Sequence, residues 1–117
     1  MRPPTIILDI DGLILRHHGS LSLQMKKRPQ LLPGVLQRFE EWDRRGAVIV
    51  LTTGRRESCR QKLERILYDL GIFYDAIVFG CTGGVRYLVN DRKADGGETA
   101  KAINVNHNEG LLNVSID

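Results

Sequence analysis

Asp9 and Asp11 flank a single isoleucine and run directly into Gly12. Two carboxylates so placed can share a hard divalent cation, or divide nucleophilic and acid–base work between them. Further along, Thr53-Gly54-Arg55 sets a hydroxyl beside a glycine and a guanidinium. A hydroxyl and a free backbone N–H at the start of a helix are suited to gripping phosphate oxygens. Arg55 can bind substrate or pair with a neighbouring acid. Asn90-Asp91, with Lys93 and Asp95 beyond, adds further oxygen ligands and a cation. Together these groups describe a site for Mg²⁺ and a phosphate. Asp95, one acid in a polar loop, is equally at home in solvent. His17-His18 invites a metal reading, but neighbours on a strand point to opposite faces, so a substrate contact is the better expectation.

The elements that must carry these residues are legible in the apolar pattern. Thr5–Ile10 is a continuous apolar run ending at a carboxylate, the mark of a strand buried on both faces of a parallel sheet. Leu13 to Leu23 alternates loosely around His18-Gly19-Ser20 and predicts a hairpin flap. Pro29 and Pro33-Gly34 mark a loop. Val35, Leu36, Phe39 and Trp42 recur at helical spacing, and Gly46 stops that helix. Ala47–Leu51 reads as a second strand, closing on the Thr53 cluster. A second amphipathic helix carries Cys59, Leu63, Ile66, Leu67 and Leu70 up to Gly71. Ala76–Gly80 and Tyr87–Asn90 read as a third and a fourth strand. Glu98–Ala102 suits a short helix, and Leu111–Ile116 an edge strand. Strands alternating with helices predict an α/β fold, a Rossmann-like three-layer sandwich with a mostly parallel sheet. Ligands of such sheets bind beyond the carboxyl ends of the strands, where the Asp9, Thr53 and Asp91 sets would converge.

With 117 residues the chain is expected to form a single domain, spanning 1–117. Its 42% hydrophobic and 26% charged content is that of an ordinary globular protein. No apolar run is long enough to span a bilayer and no signal-peptide pattern opens the chain, so a cytoplasmic protein without a membrane partner is expected. Cys59 and Cys81 lack metal-type spacing and read as reduced thiols. A net charge of +3 gives a nucleic-acid partner little support. The clusters Arg16, Lys26, Lys27, Arg28 and Arg55, Arg56, Arg60, Lys62, Arg65 would still suit an anionic substrate.

The order Asp9-Ile10-Asp11-Gly12, Thr53-Gly54-Arg55, Asn90-Asp91 through Asp95 resembles the motifs of the haloacid dehalogenase-like (HAD) superfamily over residues 5–95. The resemblance implies a Mg²⁺-dependent phosphohydrolase. Asp9 would be the nucleophile that becomes an aspartyl phosphate, and Asp11 the general acid and then base. Mg²⁺ would be held by the Asp9 carboxylate, the Asp11 backbone carbonyl and Asp91, with Asp95 as a further candidate. Gly12, Thr53 and Gly54 would line the phosphoryl site. The family's third motif supplies a cation, for which Arg86 is the first choice and Lys93 the second. Asn90 replaces the commoner second acid of the fourth motif.

Neither gap between these motifs is long enough for a cap domain. A cap-less member excludes water poorly, so association with a second copy is expected. Similarly small, cap-less relatives include bacterial sugar-phosphate phosphatases of surface-carbohydrate pathways and the phosphatase half of polynucleotide kinases, whose second motif likewise ends in Gly-Arg. Residues 32–91 also resemble small HAD proteins linked to capsule synthesis. The leading expectation is therefore a phosphomonoesterase acting on a small phosphorylated metabolite, a sugar phosphate first. The alternatives are a nucleic-acid end phosphatase and a HAD fold retained as a non-catalytic binding module.

Overall fold

The computed structural model describes residues 2–116. Its elements in chain order are β1 (Thr5–Asp9), α1 (Leu21–Lys26), α2 (Val35–Arg44), β2 (Val48–Thr52), α3 (Arg60–Asp69) and β3 (Ala76–Val78), with a single 3-10 turn, Glu57–Cys59, leading into α3. The strands form one parallel sheet in the order β1-β2-β3, with Ile6 opposite Ile49, Leu8 opposite Leu51, and Leu51 opposite Ile77. Parallel neighbours must be joined by crossovers, and α2 and α3 supply them. The chain is thus a small α/β protein. Among the described residues no helix is long and apolar enough to cross a membrane.

Register decides what the sheet buries. Ile6, Leu8, Ile49 and Leu51 share one face and cluster with Val35, Phe39 and Trp42 of α2 and with Leu63 and Leu67 of α3. Both helices therefore cover the same side. The opposite face, with Ile7, Val48 and Val78, lies largely in solvent. The expectation of strands buried on both faces holds for one face only, and two layers stand where three were expected. Thr5, Ile7 and Asp9 alternate with the residues whose backbone groups pair with β2. Among the described residues no backbone partner meets them on the outer edge of β1.

α2 ends as its sequence dictates: Gly46 takes a left-handed φ of 74° and its N–H donates to the Asp43 carbonyl at 2.9 Å. Four expectations give way. Leu13–Leu23 forms no hairpin. Leu15 makes isolated bridges to Asp11 and Leu31, and Leu21–Lys26 turns helical because the Ser20 hydroxyl caps it, accepting from the Leu23 N–H at 3.2 Å. Tyr87–Asn90 forms no strand: among the described residues no strand pairs with it, and Tyr87 and Val89 are 88% and 90% exposed. Glu98–Ala102 is not helical, since no hydrogen-bonded turn starts there. Leu111–Ile116 is not an edge strand either. Instead Leu111 is buried in the core, its N–H donating to the Pro33 carbonyl at 2.8 Å and its carbonyl accepting from Arg38 Nε at 3.1 Å. Gly34 (φ 79°) and Gly110 (φ 88°) allow this seam, because a Cβ on either would run into backbone of the other segment.

Candidate active site

Asp9 is the last residue of β1 and stands opposite Thr52, the last of β2. The two following loops therefore leave the sheet side by side. The first turns at once: the Ile10 carbonyl accepts from the N–H groups of Ile14 and Leu15, and Gly12 takes a φ of 98°. The second is pinned to the residues after β3. Thr53 N–H donates to the Val78 carbonyl, Cys81 N–H to the Thr53 carbonyl, and Gly80 N–H to the Arg55 carbonyl, all at 2.8–3.0 Å.

The two aspartates end in different environments. Asp11 is 15% exposed, and Arg55, itself 3% exposed, forks onto it: Nη2 reaches Oδ1 at 2.9 Å and Nε reaches Oδ2 at 3.1 Å. Gln24 Nε2 adds a bond to Oδ1 at 2.8 Å, and the Thr53 hydroxyl lies 3.4 Å from Oδ2. Bidentate charge-assisted pairing of this kind fixes a carboxylate's plane as well as its position. The ion pair with an acid, one of the two uses open to Arg55, is thus present. Thr53 is fully buried, its hydroxyl also accepting from the Arg55 N–H at 3.1 Å. Gly54, the expected phosphate N–H, is exposed beside it.

Asp9 is 50% exposed, and its Oδ1 accepts a local bond, from the Ile10 N–H at 3.2 Å. Arg86 Nη2 lies 3.9 Å from Oδ1. Partial burial pushes the Asp9 carboxyl above its ordinary value, and Asp11 adds to that; Arg86 foremost, then the Ile10 N–H and His17, pull the other way. Arg86 arrives from a loop, its guanidinium held by the Thr82 and Gly84 carbonyls at 3.2 and 3.4 Å. Lys93 sits in a separate turn, bonded through its backbone to Gly96 and Gly97.

The structure thus brings together Asp9, Asp11, Gly12, Thr53, Gly54, Arg55 and Arg86. It does not bring Asp91 and Asp95 to them. Asp95 Oδ1 accepts from the Gly97 N–H at 2.8 Å, closing a local turn, and Asp91 lies in the exposed stretch that forms no strand. Among the described residues no three His, Cys, Asp or Glu side chains gather as a metal-holding group. The donor chemistry of Asp9 and the Asp11 carbonyl suits Mg²⁺, but the ligand set as it stands is incomplete. Three residues of the site carry no sequence signal strong enough to find them. Gln24 is a buried amide on a six-residue helix, bonded to Asp11, to the Arg16 carbonyl at 2.8 Å and to the His18 N–H at 2.7 Å. His107 and Asn108 reach Gly12 and His17 from far along the chain. The Asn108-Glu109-Gly110 run signals a turn, but not what it docks on.

No protein-family model and no curated protein matches the sequence. Among solved structures, a chain of the Pnkp1/Rnl/Hen1 complex is similar, with a TM-score of 0.58 and 24% identity over 73% of this chain and 30% of its own. A chain of the Pnkp1/Rnl/Hen1 RNA repair complex aligns with the same TM-score and identity over 72% of this chain and 28% of its own. The chain spans about three-tenths of the length of these neighbours. At this identity the likeness is one of fold.

Proposed function

We propose that the chain is a phosphomonoester hydrolase in which Asp9 forms an aspartyl phosphate. The observation that carries this reading is the contrast at the end of β1: a half-exposed carboxylate beside a cation, with a second carboxylate two positions on clamped by buried donors. An Asp9 oxygen attacks phosphorus, the bond from phosphorus to the leaving oxygen breaks, and Asp11 protonates that oxygen. Asp11 then takes a proton from water, which attacks the phosphoaspartate and frees inorganic phosphate and Asp9. Of the Asp11 contacts, the Thr53 one is longest, and a hydroxyl can reverse to accept from a protonated Oδ2. Arg86 offsets the repulsion between the Asp9 carboxylate and a phosphate dianion. Mg²⁺, when bound, would neutralise charge and orient the phosphoryl group; Asp9 and the Asp11 carbonyl would hold it, while Asp91 and Asp95, the further ligands the sequence resemblance implies, stand apart from them in this structure.

A sugar phosphate is the first substrate reading, resting on resemblance to cap-less sugar-phosphate phosphatases. The fold likeness to chains of an RNA repair complex favours a second, a phosphorylated nucleic-acid end. The bare sheet face supports a homo-oligomer. The test is release of inorganic phosphate from a panel of sugar phosphates and 3′- or 5′-phosphorylated oligonucleotides, with Mg²⁺ or with EDTA. Mg²⁺-dependent release is the expected result. Full activity in EDTA refutes the metal, and no release from any member leaves the non-catalytic binding module as the reading.

A further inference from the structure

Beside the Gly12 turn two imidazoles stand together. His17 and His107 meet edge to face with ring centroids 5.2 Å apart. The Nδ1 edge of His107 faces Gly12, 3.1 Å from where a Cβ would stand, so a side chain at position 12 would push the ring away. Asn108 fastens the two segments. Its Oδ1 accepts from the His17 N–H at 2.7 Å, its Nδ2 donates to the His17 carbonyl at 3.1 Å, and its own N–H donates to the Gly12 carbonyl at 2.9 Å. It does so at a φ of 60°, a conformation that side chains resist and asparagine tolerates. Three loop segments are thus locked into one wall next to Asp9, whose carboxyl His17 influences electrostatically.

The hydrogen bonds that fasten the wall run through Asn108 and backbone. Among the described residues no hydrogen bond or ion pair engages either ring's nitrogens. Imidazoles donate to anionic oxygens in either charge state, so two ring edges this close offer one anion more than one donor.

We propose that His17 and His107 form a subsite for a second phosphate group on the substrate, next to the phosphoryl group that Asp9 attacks. The proposal rests on the phosphohydrolase reading and narrows it to bisphosphates. A nucleoside 3′,5′-bisphosphate and a hexose bisphosphate share this chemistry, and a simple monophosphate leaves the subsite unfilled.

Phenylalanine at both positions keeps the ring contact and removes the nitrogens. Phosphate release is measured for p-nitrophenyl phosphate, thymidine 3′,5′-bisphosphate and fructose 1,6-bisphosphate, in the wild type and in His17→Phe/His107→Phe. The expected result is that kcat/KM for one bisphosphate, relative to p-nitrophenyl phosphate, falls about tenfold or more through KM. Which bisphosphate responds identifies the source of the second phosphate, and an unchanged ratio for both overturns the subsite. In parallel, the imidazole resonances of the wild-type protein are followed while each bisphosphate and inorganic phosphate are titrated in. Shifts at His17 and His107 with a bisphosphate, at concentrations where inorganic phosphate has no effect, support the subsite even if no probe is hydrolysed or the variant does not fold. Unmoved resonances overturn it whatever the catalytic outcome.

Discussion

Residues 5–78 hold all the strands and helices described, whereas residues 79–116 hold none. Both nonetheless reach the same site and the same core. The first part contributes Asp9, Asp11, Gln24, Thr53 and Arg55. The second contributes Arg86, His107 and Asn108, and drives Leu111 into the cluster beneath α2. A regular element positions side chains through its own repeat, so neighbouring residues vouch for one another. The irregular part positions each residue by a separate contact: Arg86 by two carbonyls, Asn108 by reciprocal amide bonds, Leu111 by a seam of two glycines. Order without repetition is therefore possible, but a single substitution can undo it.

The most severe way to probe the contrast is in the regular half. Asp9→Asn is expected to lower phosphate release by more than about a hundredfold, as loss of a nucleophile does, with circular dichroism unchanged. Residual activity above that level removes the covalent route. In the irregular half, Arg86→Ala is expected to slow release by about a hundredfold, comparable to losing one donor that stabilises developing charge. Lys93→Ala is expected to have a mild effect, and the opposite ranking would transfer the cation's role to Lys93. If neither variant alters the rate, residues 79–116 do not supply the cation that offsets charge at Asp9, and Arg55 is the remaining candidate.

Packing is tested by Leu111→Ala. Emptying this buried site should destabilise the fold by about 2–5 kcal/mol in denaturant titrations. A value near zero would show that the tail is not part of the core. The smallest effect expected concerns pH. Burial raises the Asp9 pKa, so its ionised form works against folding. The stability associated with this group is fully present below the unfolded-state pKa and is lost as pH rises through the folded one. Asp9→Asn should therefore melt higher than wild type at pH 7, with the gain shrinking towards acid. A gain that grows in acid would reverse the assignment.

These differences also explain what was legible in the sequence. Periodicity located β1, α2, β2 and α3 within a residue or two, because each buries a stripe of apolar side chains. Asp9, Asp11, Thr53 and Arg55 then followed from the strand ends. Tyr87–Asn90 has the same apolar character as a strand, but pairing needs an edge that accepts it, and no local pattern encodes that edge. The Ser20 cap outweighed a loose alternation in Leu13–Leu23. Arg86, the first choice for the cation that the family resemblance implies, stands 3.9 Å from Asp9, held there by a loop. Gln24 and Asn108 were missed because each acts alone, against partners that spacing cannot name.

The bond between the His17 N–H and the Asn108 amide joins residues 91 apart in sequence. A contact that distant must bring the chain back on itself before it yields anything, and such closures slow folding more than they weaken the folded state. The sheet, built from nearer neighbours, can be in place while the Gly12 turn still lacks its outer wall. A refolding chain is therefore expected to recover its far-ultraviolet signal before its His17–His107 contact.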